Sequence, residues 1–330
     1  MGREIVFTGK QQFELLDYEE GPLGESQVRG RTLATLISPG TELAWANGDN
    51  FPIRPGYAAV FQAEEIGSAV KGVKLGDRLL CMGGHRSTQQ FDERYTLKIP
   101  DDIASEAAVV ARLMGVSMTT LITTTARPGE KVIICGAGPV GYLAAHQCQI
   151  AGYDVTIVEP DHSRRDQALA SGIAHALPAI PVGEAGYQGK VALVIDCSGH
   201  EQAVLDGCKV VRKRGEVVLV GVPWKAYTGI LAHEILHAVF FNYVVLRSGW
   251  EWEVPILARG FVWEELYEGY NNAPHSTFSG LATALKWLAE DRIPIAGMFR
   301  TMDPNDPAEA YRRLLSKEVQ EPFIVLDWAN

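Results

Sequence analysis

The feature that most constrains this chain begins at Lys131, where short, nearly all-apolar segments start to alternate with helical patterns. The apolar segments are Lys131–Cys135, Asp154–Val158, Leu193–Asp196, Glu216–Gly221 and Tyr243–Ser248. Helical spacing falls between them, over Val140–Ile150, Ser163–Ser171, Gln202–Val211 and His233–Phe240. Strands that read as continuous Val/Ile runs are buried on both faces. Alternating with helices, they predict a doubly wound parallel sheet and an α/β fold class. The first hundred residues differ. Val28–Leu36, Ala58–Ile66, Arg78–Met82 and Tyr95–Ile99 are β-prone runs separated by Gly/Pro turns, which predicts a mostly β unit. Beyond about Trp250 come helices over Thr283–Glu290 and Pro307–Ser316 and a strand over Pro322–Leu326. The α/β domain, residues 113–250, therefore reads as inserted in a β-rich one made of 1–112 and 251–330.

A length of 330 residues accommodates two domains. The net charge is −10 and the 30 basic residues are scattered, which argues against nucleic-acid binding through a basic face. No uncharged apolar run approaches the ~18 residues of a membrane span, so none is expected. The opening Met1-Gly2-Arg3-Glu4-Ile5-Val6-Phe7 lacks the apolar stretch of a signal peptide, so a cytoplasmic location is expected. The five cysteines (Cys81, Cys135, Cys148, Cys197, Cys208) contain no C-x-x-C pair, against a disulfide framework or a four-thiolate zinc site.

The strongest chemical signal is Gly136-Ala137-Gly138-Pro139-Val140-Gly141, directly after one predicted strand and opening a predicted helix. That context is what a dinucleotide-binding loop requires. Gly136 permits the tight turn, Gly138 lets a diphosphate approach the backbone, and Gly141 allows helix and strand to pack closely. The helix start adds unpaired N–H groups and a positive dipole end. The next strand ends in Glu159, whose carboxylate would accept from the adenosine ribose hydroxyls and repel a 2′-phosphate. Arg164 and Arg165 lie close by, and an arginine there would accommodate that phosphate. NAD is the expected cofactor, with NADP possible. His233-Glu234-Ile235-Leu236-His237 matches H-E-x-x-H, the zinc-protease helix motif, but it lies between two predicted strands of a nucleotide-binding sheet, and an amphipathic helix is expected.

Taken in order, these residues resemble the medium-chain dehydrogenase/reductase superfamily, the fold of the zinc alcohol and polyol dehydrogenases. Ser38-Pro39-Gly40-Thr41-Glu42 resembles the family's first active-site loop, and Lys74-Leu75-Gly76-Asp77-Arg78 a turn of its GroES-like domain. Arg127-Pro128-Gly129-Glu130-Lys131-Val132 leads into the cofactor glycines as in the family. Asp196-Cys197-Ser198-Gly199 and Gly221-Val222-Pro223 resemble later strand ends of the Rossmann domain, which adds Ser198, Gly221 and Val222 to the cofactor residues. Pro294-Ile295-Ala296-Gly297 and Ala308-Glu309-Ala310-Tyr311 resemble the C-terminal return. The resemblance implies a GroES-like catalytic domain plus a Rossmann cofactor domain, a small-molecule substrate, and a homodimer or homotetramer.

The departures are informative. Where zinc-dependent relatives place three metal ligands, this chain has Pro39, Tyr57 and, by a looser alignment, Ala111. The four-cysteine structural zinc lobe is absent as well. The resemblance is therefore to a zinc-independent branch, with no metal expected. Without zinc, side chains must manage the substrate proton. Thr41 matches the relay hydroxyl of relatives, Tyr57 replaces a lost ligand, and His85 lies in a glycine-rich loop that reaches the cleft in relatives and is of the residue type suited to acid–base work. Glu42 is expected to hold the loop. Glu42, Cys81 and His85 form the one alternative metal set. Trp45, Trp250 and Trp252 lie on segments near the cleft in relatives, and Phe261, Trp263, Tyr267, Tyr270 and Trp287 extend the aromatic run. The expected activity is an NAD(P)-dependent oxidoreductase acting on a secondary alcohol or ketone. A zinc-free NADPH quinone or enal reductase and a non-catalytic dinucleotide-binding protein are the alternatives.

Overall fold

A computed structural model of the protein describes residues 1–260 and 275–329. The chain divides into two compact units, Met1–Arg112 with Leu281–Asn330, and Leu113–Gly280. The first unit opens with an antiparallel pair, β1 (Gly2–Gly9) and β2 (Gln12–Tyr18), turned at Gln11, whose φ is 54°. The long strand β3 (Gln27–Ile37) leads straight into helix α1 (Pro39–Ala46). The segment expected as an active-site loop is thus the first turn of a helix. Pro39 sits where a missing N–H costs nothing and a fixed φ is already helical. Four further strands follow: β4 (Ala59–Ile66), β5 (Arg78–Cys81), β6 (Thr88–Asp92) and β7 (Leu97–Lys98). Alternate residues Ala59, Phe61 and Ala63 pack with Val28, Leu79 and Cys81 on one face, while Val60 and Leu80 between them are buried on the other. The short helix α2 (Ser105–Ala108) and the longer α3 (Ala111–Thr123) come next. Together Ser105–Thr123 is long and apolar enough to cross a membrane, although the sequence held no uncharged run of that length. Glu106 and Arg112 interrupt it, and 67% of its best window is buried inside the protein, as in the core helix of a globular fold.

The second unit follows the alternation: β8 (Lys131–Cys135), α4 (Pro139–Ile150), β9 (Asp154–Val158), α5 (His162–Ala170), β10 (His175–Leu177), β11 (Val191–Asp196), α6 (Glu201–Val210), β12 (Val211–Leu219), α7 (Ala232–Asn242) and β13 (Val245–Ser248). The six-stranded sheet is parallel throughout, ordered β10-β9-β8-β11-β12-β13. That is the Rossmann arrangement, with its switch between β8 and β11. All six residues of β11 are buried, as the apolar run required. Two features were not legible. Strand β10 has three residues, too few for a periodicity. Strand β12 begins at Val211 rather than Glu216, because Val211 already pairs with Val191 while Arg212, Lys213 and Arg214 disguise the strand as a loop.

The chain returns through α8 (Thr277–Ala289), β14 (Phe299–Met302), α9 (Pro307–Leu315) and β15 (Phe323–Asp327). Strand β15 pairs antiparallel with β3, completing a seven-stranded sheet in the first unit, β14-β15-β3-β4-β5-β7 with β6 on β3. Below it Phe7, Phe13 and Tyr311 meet at ring distances of 4.7–5.0 Å. The second division falls after Gly280, not after residue 250. The segment beyond 250 is held within the second unit: Thr119 Oγ1 donates to the Glu251 carbonyl at 3.3 Å, and the Thr277 N–H to that of Pro255 at 2.9 Å. Phe261, Trp263, Tyr267 and Tyr270 lie outside the described residues.

Candidate functional site

In the second unit the loop after β8 has the geometry its glycines foretell. Gly136 adopts φ 92°, in the left-handed region that an L side chain resists. A Cβ on Gly141 would stand 1.8 Å from the Gly136 carbonyl oxygen, so only glycine lets α4 start against the strand. A Cβ on Gly138 would meet nothing within 4 Å, so the backbone there faces open space. Pro139 and Val140 follow in the first turn of α4, whose early N–H groups have no intrahelical acceptor. This cradle fits the diphosphate of a dinucleotide. Beside it, buried Asp196 organises the end of β11. Its carboxylate accepts from the Ser198 N–H at 3.0 Å, the Ser198 hydroxyl at 2.5 Å and the Gly199 N–H at 3.1 Å. Its carbonyl accepts from the Gly221 N–H at 2.6 Å. Burial pushes the Asp196 carboxyl upward, against those three hydrogen bonds. Val222 is exposed at the rim.

Glu159, at the end of β9, is 7% exposed. Its carboxylate accepts from the Ala137 N–H of the glycine loop at 2.8 Å and from the Asp161 N–H at 3.0 Å. Arg164 is exposed, its guanidinium 3.9 Å from that carboxylate. Arg165 instead donates to the Glu159 and Pro160 carbonyls, both at 2.7 Å.

In the first unit a polar cluster surrounds the start of α1. Glu42 is fully buried: one carboxylate oxygen accepts from the Ser38 N–H at 2.8 Å, the other from the Tyr311 hydroxyl at 2.5 Å and His85 Nε2 at 3.1 Å. His85 Nδ1 lies 2.8 Å from Thr35 Oγ1, which accepts from Trp328 Nε1 at 3.0 Å. His85 was expected in a loop reaching the cleft. It is 1% exposed, with both ring nitrogens engaged, because its loop folds inward between Pro55 and Ile5. Its partners are structural, and it acts on Glu42. The Tyr311 phenol, buried against the Glu42 carboxylate, is pushed well above the ordinary tyrosine range.

Tyr57 is half-buried on the other side of the cluster. Its phenol faces the hydroxyls of Ser38 and Thr41, and burial raises its pKa. Beneath it lies Arg112, 2% exposed, whose Nε donates to the Tyr57 carbonyl at 3.1 Å and whose guanidinium carbon sits 4.9 Å from the ring centroid. Neither Ser38 nor Arg112 had been singled out. The available signal was a cation inside an apolar helical run.

The other candidates resolve differently. Cys81 is buried, its thiol pushed up to about 12 and turned toward the Gly83 backbone, so it does not join Glu42 and His85. Among the described residues no group of three or more His, Cys, Asp and Glu could hold a metal ion. Pro39 and Ala111 carry no donor atom, and the Glu42 and His85 donors are taken, so the residues present do not fit a catalytic zinc. Glu234 of the H-E-x-x-H segment accepts from the Leu231 N–H at 3.3 Å, closing the first turn of α7. His233 and His237 stand 6.2 Å apart, and His237 packs on Phe241. Trp45 packs into the core of the first unit, Trp287 lies under Arg292, and Trp250 and Trp252 are exposed.

A family model described as zinc-binding dehydrogenase matches residues 139–248, the glycine-loop helix through β13. An alcohol dehydrogenase of Geobacillus stearothermophilus is 27% identical over 266 residues, covering 68% of this chain and 78% of the relative. In its motifs, its relatives and its fold the chain resembles the medium-chain dehydrogenase/reductases. Its fold is shared with the acetophenone reductase of Geotrichum candidum solved with NAD (TM-score 0.78, 14% identity, 99% and 97% of the two chains). A Sinorhizobium meliloti protein bound to NADP shares it too (TM-score 0.76, 16% identity, 99% of each chain). The enzyme is an oxidoreductase of the alcohol-dehydrogenase kind, with the Rossmann and GroES-like domains of that class.

Proposed function

We propose that the enzyme moves hydride between NAD and a secondary alcohol or ketone, of polyol, sugar or bulky-ring type, without catalytic zinc, and that Tyr57 handles the proton. The observation that carries this reading is the Tyr57 phenol facing the Thr41 and Ser38 hydroxyls, at a position where the resemblance implies a zinc ligand in relatives. When bound, the dinucleotide supplies or accepts the hydride at the substrate carbon. In the reducing direction the C=O electron pair moves onto oxygen, which takes the proton of the Tyr57 hydroxyl. Solvent then restores that proton. Burial keeps the phenol protonated near neutrality, so it can donate a hydrogen bond to the oxygen before transfer. Thr41 and Ser38 orient it. Glu159 supports NAD over NADP, since its carboxylate closes the glycine loop where a 2′-phosphate would be repelled.

The test is a panel of secondary alcohols and ketones followed by absorbance of the reduced cofactor, with NAD and NADP in parallel and zinc measured on the dialysed protein. Positioned proton donors contribute about 10²–10⁴-fold, so Y57F should lose turnover on that scale with NAD affinity nearly unchanged. Full turnover in Y57F removes Tyr57 from the chemistry. Tighter NADP binding overturns the role of Glu159, and one tightly held zinc per chain overturns zinc independence.

A further inference from the structure

The phenol of Tyr57 gives up its proton in an unfavourable place. Among the described residues, the groups that face it are the hydroxyls of Ser38 and Thr41, the carboxylate of Glu42 and the guanidinium of Arg112. Burial and the Glu42 carboxylate both oppose a negative charge on the phenolic oxygen. The hydroxyls can donate to it, but they carry no charge. Arg112 is the one cation in this set. It is also held rigidly, 2% exposed, with Nε on the Tyr57 carbonyl at 3.1 Å and its guanidinium 4.9 Å from the ring centroid.

We propose that Arg112 is a positioning residue for the reaction: it fixes the Tyr57 backbone and ring together and supplies the positive charge that steadies the phenolic oxygen as its proton leaves. It thereby takes over, through Tyr57, part of the electrostatic task of the metal whose ligand set this chain has lost. The inference rests on the assignment of Tyr57 as the proton carrier. It adds a second residue, one that does not touch the substrate.

The phenol's own titration tests it without substrate or cofactor. With 3,5-difluorotyrosine at position 57, which titrates in a milder range, fluorine NMR of the full chain reads the midpoint directly. Removing a close cation raises the midpoint of a buried acid by about one pH unit. R112M and R112Q should therefore raise the midpoint by that amount, Q even though it retains a donor for the Tyr57 carbonyl. R112K should hold the midpoint near the wild-type value. E42Q should lower it, as loss of the opposing charge requires. An unmoved midpoint in R112Q and R112M overturns the inference, and so does a shift in R112K as large as theirs. Failure of both neutral variants to fold, with R112K folded, overturns it too and assigns Arg112 to architecture alone. An unmoved midpoint beside a Y57F enzyme that has lost turnover removes only the role of Arg112. Full turnover in Y57F removes the reading beneath it, whatever the midpoint does.

Discussion

The glycine cradle of the second unit and the Tyr57 cluster of the first are built from different materials. The cradle is main chain: a tight turn at Gly136, an open approach at Gly138, a close contact at Gly141 and the first turn of α4, all within six consecutive residues. The cluster is side chain: Thr35, Glu42, Tyr57, His85, Arg112, Tyr311 and Trp328 arrive from strands, loops and helices spread across the first unit. A backbone site depends on which residues lack a Cβ, and so is written locally. A side-chain site depends on tertiary packing, and each member can be exchanged while the fold persists. The contrast fits a cradle that keeps the glycine pattern of its relatives beside a cluster whose side chains differ from the ligand set the resemblance implies.

The sharpest break of that comparison is steric. Valine at Gly141 cannot coexist with the Gly136 carbonyl at 1.8 Å from its Cβ. G141V should abolish measurable NAD binding by calorimetry, or prevent the second unit from folding. Binding within about tenfold of wild type would show that the contact can relax and that the cradle is not fixed by its main chain.

The cluster answers in stability. Glu42 is fully buried and serves three partners, so E42A strands Tyr311, His85 and the Ser38 N–H together. Each buried hydrogen-bonding group left without its partner costs about 1–3 kcal/mol, so E42A should destabilise the first unit by about 3 kcal/mol or more in urea unfolding, with E42Q less affected. A loss below about 1 kcal/mol would mean that the network is not what holds α1.

The smallest effect refines the other side. His146, on α4, is 4% exposed, and burial lowers its pKa from 6.5 to about 4. A depressed histidine is neutral when folded and protonates when unfolded. Its contribution is therefore complete above pH 6.5 and declines as pH falls toward about 4. The second unit should lose on the order of 3 kcal/mol across that window, and H146Q should flatten the loss. An equal slope in H146Q assigns the acid sensitivity elsewhere.

What could be read in the sequence follows the same division. β8 and β9 fall where their apolar runs begin and end, and α4 starts one residue before its pattern, at Pro39's counterpart in role, Pro139. The glycine loop was legible because each glycine has a local reason. His85 was misplaced because a histidine in a glycine-rich loop looks exposed until Thr35 and Glu42, far away in sequence, are seen to enclose it. Arg112 went unnoticed because its partner, Tyr57, is contributed by the chain before β4. The second domain boundary moved to Gly280 because hydrogen bonds from Thr119 and Thr277, rather than any change in composition, decide where residues beyond 250 belong.

The first unit is discontinuous: it needs β15, Tyr311 and Trp328, and the second unit lies wholly before them. Emerging from a ribosome, the cofactor domain has its complete sequence while the catalytic domain still lacks a central strand. Until residues 311–327 are made, β3 has an open edge where β15 will sit, and the Glu42 carboxylate lacks its tyrosine. The order of synthesis therefore leaves the Glu42 network open until Tyr311 and Trp328, which follow the whole second unit in sequence, have joined the first.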